Sequence, residues 1–201
     1  ESSDTNEWNA AAVRAEALAE QSAFDDAIIA GNEALTSAVA HFGTNNIGIA
    51  KYLRFLGGLH WRKQNWRDAE DFLSRAVSMR ERVLGSNDAS LVTPLNDLAG
   101  SLFNQNKYEF AEPVYRRAAM IGERTLGSND ANLAALYDNY ANCVTKISRL
   151  SFGEKEEVIV KYKRRALRIL DANSGSDDLT VLRILRDLAA ACSDLEKRVD
   201  A

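Results

Sequence analysis

The chain has 201 residues, 46% of them apolar and 27% charged, with two prolines; such a composition belongs neither to a disordered segment nor to a collagen-like fibre. A net charge of −4 gives a nucleic-acid partner no electrostatic support. No stretch reaches the roughly 20 uninterrupted apolar residues of a membrane span, because the best one, 180–192, is broken by Arg183, Arg186 and Asp187.

Charge is unevenly spread. Residues 1–50 carry eight acidic and one basic side chain, whereas 140–190 carry ten basic and seven acidic. Opposite ends of opposite sign could steer a partner or stack one copy on the next. Cys143 and Cys192 have no paired spacing and are expected to be reduced helix residues. Numbering starts at Glu1 rather than Met, so an upstream segment, such as a signal peptide or lipid anchor, is expected to be missing. The compartment stays open, with the cytoplasm the first expectation and export or lipid anchoring the alternative.

In chain order, the polar opening Ser2-Ser3-Asp4-Thr5-Asn6 offers N-caps for a first helix over about 7–22, with Ala11, Ala12, Ala15, Leu18 and Ala19 on one face. The short turn Gln21-Ser22-Ala23 returns the chain antiparallel into a helix over 24–42. Phe42-Gly43-Thr44-Asn45-Asn46 follows, and it returns in the sharper forms Leu84-Gly85-Ser86-Asn87-Asp88 and Leu126-Gly127-Ser128-Asn129-Asp130. Gly43, Gly85 and Gly127 are evenly spaced, so the chain has a fixed period. One helix ends and another begins at each: Gly can take the left-handed conformation that closes a helix, and the Asn or Asp side chain accepts from the next helix's free N–H groups.

Between these turns lie helices over about 46–63 and 66–84. Trp66, Ala69, Leu73, Ala76 and Val77 recur at three- and four-residue steps, and one full period later stand Tyr108, Ala111, Tyr115, Ala118 and Ala119. Small residues at these places let helices approach closely. A helix over 130–146 opens the next pair, but Arg116-Arg117-Ala118 returns as Arg164-Arg165-Ala166, six places later than the period requires. The insertion falls near 148–157, either as a loop around Gly153 or as an extra turn on both helices. Asn173-Ser174-Gly175-Ser176-Asp177-Asp178 is a degraded form of the turn, and a last helix over 180–199, whose charges suggest a solvating cap, closes the array.

Leu98-Ala99 followed by Asn106-Lys107-Tyr108-Glu109-Phe110-Ala111-Glu112-Pro113-Val114-Tyr115-Arg116-Arg117-Ala118 resembles the tetratricopeptide (TPR) pattern, in the 42-residue form of kinesin-light-chain-like repeats. The resemblance covers about 8–172. It implies an all-α fold, a right-handed superhelical solenoid of antiparallel helix pairs, with eight or nine helices in a single domain over 1–201. Approximate units are 7–43, 44–85, 86–127 and 128–172, with a capping helix over 178–199.

Catalytic chemistry finds no support. No Gly-rich phosphate loop with Lys is present, and Gly57-Gly58 reads as a close-packing site within a helix. His41 and His60 have no ligand partners at metal spacing, and no Ser, Cys or Thr is accompanied by a base. A non-enzyme without cofactor or metal is expected, and the cluster Lys161, Lys163, Arg164, Arg165 and Arg168 reads as the outer face of a helix, with binding to an acidic protein as the alternative.

The resemblance implies that the first helix of each pair lines a concave wall. Counted from the small residues Gly57, Ala99 and Ala141, the wall would carry Arg54, Phe55, Gly58 and Trp61, then Asn96, Asp97, Gly100 and Phe103, then Asp138, Asn139, Asn142 and Thr145. Lys51 lies one turn earlier, and Arg183, Arg186 and Asp187 hold the equivalent places on the last helix. Amides there could pair with the main chain of a bound segment. Arg54 and Lys51 would select acidic side chains, and Phe55, Trp61 and Phe103 an apolar anchor. Kinesin-light-chain repeats typically carry Asn-Asn where this chain has Arg54-Phe55, Asn96-Asp97 and Asp138-Asn139, so their cargo preference does not transfer. The expected partner is a protein or peptide segment, with head-to-tail self-association as the alternative.

Overall fold

The computed structural model describes residues 4–44, 46–127, 130–173 and 179–199. Ser2, Ser3, Asn45, Ser128, Asn129 and 174–178 of the degraded turn lie outside the described residues. Among those described there are nine α-helices, one 3₁₀ turn (Ala89–Leu91) and no strand. The helices are α1 (Asp4–Glu20), α2 (Phe24–Phe42), α3 (Ile47–Arg62), α4 (Trp66–Leu84), α5 (Val92–Asn104), α6 (Tyr108–Thr125), α7 (Ala131–Thr145), α8 (Phe152–Asn173) and α9 (Leu179–Val199).

First and second helices begin differently, and the difference repeats. Asn46, Asp88 and Asp130 sit in extended backbone, and their side-chain oxygens accept from the N–H of Gly48, Ser90 and Asn132, at 2.7, 2.8 and 2.9 Å. These are the side-chain caps expected of Asn and Asp. The second helices α2, α4 and α6 have no such cap. They are entered through a non-glycine residue at positive φ, Ser22 at 61°, Gln64 at 60° and Asn106 at 61°. At the first two of these turns the next N–H closes back on the preceding helix, Ala23 to the Leu18 carbonyl and Asn65 to the His60 carbonyl, both at 2.9 Å. These three positions keep the same interval as the glycine turns, a feature of the period that composition alone does not reveal.

The glycine turns differ from expectation. Gly43 and Gly85 have φ of 72° and 90° but ψ of 172° and 158°. That region is open to glycine alone, and it is not the left-handed helical one. It sends the chain out extended, toward the next Asn or Asp cap.

By internal contacts the chain divides into two compact units, Glu1–Gln105 and Asn106–Ala201. In the first, α1 packs on α2, α2 on α3, α3 on α4 and α4 on α5. Its core is aliphatic and rich in small residues: Ala27, Ala34, Ala50, Ala69 and Ala76 have no exposed surface, and Leu53, Leu56, Leu59 and Leu73 fill the space between helices. Gly57 shows why the small position matters. A Cβ there would stand 2.6 Å from the Leu73 side chain, whereas one on neighbouring Gly58 would meet nothing within 4 Å.

In the second unit α6 packs on α7, α7 on α8 and α8 on α9. The insertion is shared between loop and helix. Only 105–107 separate α5 from α6, whereas 146–151 separate α7 from α8. The remainder starts α8 about one turn earlier relative to Arg164, so Gly153 lies in the helix and not in the loop. Ser151 opens α8 through a reciprocal cap: its N–H and hydroxyl donate to Glu154, at 2.8 and 2.6 Å, and Glu154 N–H donates back to the hydroxyl. Hydrogen bonds from Ser151 hold the Glu154 carboxyl below its ordinary value.

One expectation requires correction. Lys163 is not on an outer face; only 1% of it is exposed. The shifted register that aligns Arg164 with Arg116 places Lys163 where the earlier repeats have Tyr115 and Leu73, both core residues. On the last helix Leu179, Leu182 and Leu185 are 82, 56 and 45% exposed. Among the described residues, no helix is long and apolar enough to cross a membrane.

Candidate functional site

In the first unit the expected wall positions converge on a cavity of about 440 Å³. It is lined by α1 through Glu16, Ala19 and Glu20, by α3 from Lys51 to Arg62, and by Asp97 of α5. All three are first helices of their pairs. The antiparallel return of each hairpin puts them side by side, while α2 and α4 pack behind.

The floor is made of half-buried Tyr52 and Phe55 with Ala19 and Leu59. Gly58 lies open beside them, and its missing side chain leaves the depth of the cavity free. The rim is ionic. Arg54 Nε donates to Asp97 Oδ2 at 2.8 Å, and Lys51 Nζ stands 3.6 Å from Glu16 Oε1. Burial raises the Asp97 carboxyl above its ordinary value, with the Arg54 guanidinium working against it. The Tyr52 hydroxyl is raised by burial and by the Glu16 charge, so it stays protonated and able to donate. Glu16, Glu20 and Asp97 face Lys51, Arg54 and Arg62, a balanced rim over an aromatic floor. Such a site suits a segment with an apolar side chain flanked by polar or charged groups.

The second unit treats the same positions differently. Asp138 and Asn142 are drawn into a buried network around Lys163. The Lys163 ammonium donates to Asp138 Oδ1 at 2.9 Å, Asn142 Oδ1 at 2.7 Å and Asp187 Oδ2 at 2.9 Å. These three bonds use all the donors an ammonium has. Arg183 adds a bond to Asp138 Oδ2 at 2.6 Å, which raises its own pKa, and Arg186 reaches Asp187 at 3.1 Å. Burial works against the Asp187 carboxylate, but bonds from Lys163 and Arg186 hold it below its ordinary value. A cavity of about 210 Å³ remains beside Asp138, Asn139, Arg183 and Ile184, walled by Ala131, Ala134 and Ala135.

The expected residues therefore separate. Lys51, Arg54, Phe55 and Asp97 share the cavity of the first unit; Asp138, Asn139 and Arg183 share the smaller one in the second. Asn142 is tied to Lys163, and Arg186 is an exposed partner of Asp187. Trp61, 44% exposed, stacks edge-on with Trp66 at 5.4 Å at the end of its hairpin. Asn96 and Phe103 are half-buried on α5. The sequence reading missed Glu16, Glu20, Tyr52 and Arg62 in the cavity, and Lys163 in the network. Period arithmetic could have found Lys163, through its alignment with Leu73. The α1 residues carry no motif, and only packing shows them.

Other chemistry is sparse. His60 lies stacked on Phe72 at 5.3 Å, and burial lowers its pKa. Its Nδ1 is 3.6 Å from Asp68, too far for a hydrogen bond. The Cys143 thiol, buried near Glu112 and Glu109, is pushed up to about 12 and is therefore a poor nucleophile. Among the described residues, no group of three His, Cys, Asp or Glu is placed to hold a metal.

Helical hairpins that recur at a fixed period from Gly43 to Gly127 define an all-α repeat protein. Residues 49–90 and 95–132 match the tetratricopeptide repeat model. No curated protein sequence matches the chain. Solved structures share the fold. A kinesin-light-chain-type protein of Podosopora anserina with nearly identical TPR-like repeats superposes with a TM-score of 0.73 at 14% identity, over 96% of this chain and 88% of that one. BtubC (BKLC) from P. vanneervenii gives 0.73 at 21% identity, over 93 and 73%. The apo form of RapI gives 0.76 at 14% identity, over 95 and 65%. These likenesses show a TPR-like all-α fold.

Proposed function

We propose that the chain is a non-catalytic binding module that captures a peptide or protein segment on the wall made by α1, α3 and α5. The observation that carries this reading is the 440 Å³ cavity bounded by three first helices, with an aromatic floor and an ionic rim. An apolar side chain of the segment enters over Tyr52, Phe55 and Gly58. Flanking groups exchange places with the partly exposed Arg54–Asp97 and Lys51–Glu16 pairs. Such exchange is cheap, because exposed ion pairs contribute only about 0–1 kcal/mol.

The test is selection of binders from a random peptide display library, followed by affinity measurement on two variants. Gly58→Trp fills the cavity and Arg54→Glu reverses the rim. The selected peptides should bind either variant at least tenfold more weakly, with unchanged helix content by circular dichroism. Equal binding to wild type and both variants removes this wall as the site.

The exposed leucines of α9 favour a second reading, self-association. If Leu182 and Leu185 bury against another copy, light scattering will show an oligomer that persists in high salt and is lost in Leu182→Lys. Association driven by the charged ends will instead dissolve in salt. A monomer at both salt concentrations eliminates self-association.

A further inference from the structure

A second cavity of about 440 Å³ lies in the second unit, away from the first-helix positions singled out above. Glu112 and Arg116 of α6, Tyr140 and Val144 of α7, and Tyr162 of α8 line it, and the inserted loop brings Arg149 and Leu150 to its edge. We propose that this cavity is a docking site for an acidic peptide segment, whose carboxylates bind between Arg116 and Arg149.

The lining holds one carboxylate whose acceptors are used and two guanidiniums whose donors are mostly free. Glu112 is buried, with 7% of its surface exposed. Its Oε1 accepts from the Tyr140 hydroxyl at 3.1 Å and lies 3.4 Å from Arg116 Nε; its Oε2 accepts from Arg149 Nη2 at 3.4 Å. One carboxylate thus faces two guanidiniums, and both of its oxygens are engaged. Each guanidinium has five N–H donors in a planar fork. Among the described residues, each makes this one long contact and no other hydrogen bond or ion pair. Both side chains are more than half exposed.

The unused capacity is therefore on the donor side, with one positive charge in excess over Glu112. The other acids of the lining do not fill it. Glu154 is held by Ser151 in the cap of α8, and Glu157 is exposed one turn before Lys161, whose ammonium lies 4.8 Å from the Tyr162 ring centre. A carboxylate between the two forks would form the short, bidentate bonds that Glu112 does not reach. Tyr140 and Tyr162, 4.8 Å apart, give the aliphatic part of a glutamate side chain a surface to pack on. The site depends on the insertion, because a short turn such as 105–107 would have no counterpart of Arg149.

The probe is fluorescein-labelled acetyl-tetraglutamate amide, with the tetralysine peptide as its opposite, measured by anisotropy in low salt. Saturable binding of the acidic peptide is expected. It should weaken at least tenfold in Arg116→Gln/Arg149→Gln, and be unchanged in the charge-matched Arg67→Gln/Arg75→Gln, exposed on α4 and outside the lining of both cavities. Glu112→Gln supplies the sharpest sign. It keeps the shape and the acceptor for Tyr140 while freeing both guanidiniums, so acidic-peptide affinity should rise about tenfold. Absence of saturable binding, tighter binding of the tetralysine peptide, or weaker acidic binding in Glu112→Gln would each overturn the proposal. Failure here leaves the first unit's wall untouched, since that reading is tested on separate variants.

Discussion

Leu73 and Lys163 occupy the same place in their hairpins. In the first unit the position is apolar, fits against Gly57, and leaves the α3 wall free to carry Arg54, Phe55 and Gly58 at the edge of an open cavity. In the second it is an ammonium with 1% exposure, and it pulls Asp138 and Asn142 of α7 and Asp187 of α9 inward. One repeat geometry thus yields a wall that offers its polar groups and another that uses them internally. The ions of the second unit tie α7, α8 and α9 together, at the helix whose leucines are exposed.

Breaking that network gives the largest expected effect. Lys163→Leu restores the residue type of the earlier repeat but leaves the buried Asp138 and the partly buried Asp187 with no charged partners except arginines. Removing one member of a buried ionic cluster costs about 3–5 kcal/mol. Urea unfolding should show that loss, and a variant that also carries Asp138→Asn and Asp187→Asn should recover most of it. No loss in the single variant would mean that the ammonium contributes nothing to holding α9.

The adjacent glycines of α3 sharpen the comparison with a smaller effect. Gly57→Ala drives a methyl to within 2.6 Å of Leu73 and should destabilise by about 1–3 kcal/mol through overpacking. Gly58→Ala meets no atom and relieves the unfolded chain of glycine's freedom, so it should stabilise by about 0.4–1 kcal/mol. Thermal melts of the two variants should therefore move in opposite directions.

Smallest is a pH effect at the rim. The folded state raises the Asp97 carboxyl, so this group favours folding most when protonated and loses that contribution as pH rises through its folded value. Removing Arg54 raises it further. Arg54→Gln should therefore destabilise by about 1 kcal/mol at pH 7, and the deficit should shrink as pH falls toward the unfolded value near 3.9, where Asp97 is protonated in both proteins. A deficit independent of pH would place the effect elsewhere than the Arg54–Asp97 pair.

Much of the fold was legible because its signals are local. The boundaries of α2 and α4 follow directly from the sequence pattern, and Asn46, Asp88 and Asp130 announce the first helices of their pairs because a cap needs only its own next two residues. The wall was legible in part. Lys51, Arg54, Phe55 and Asp97 do meet, but Glu16 and Glu20 join them from a helix of small residues without any motif. Lys163 was hidden by its neighbours. Among Lys161, Arg164, Arg165 and Arg168 it looks like one more solvated charge, and only the shifted register shows that it stands in a core position. The turn residues Ser22, Gln64 and Arg149 were similarly silent, because neither backbone sign nor loop reach is written in side-chain type.

The central claim, capture of a segment over α1, α3 and α5, is tested most directly by photocrosslinking. Benzoylphenylalanine placed at Phe55, on the cavity floor, or at Val83, exposed on α4, is irradiated with a display-selected peptide. A saturable crosslink is expected from position 55 and none from position 83. A crosslink from 83 with none from 55 would contradict it.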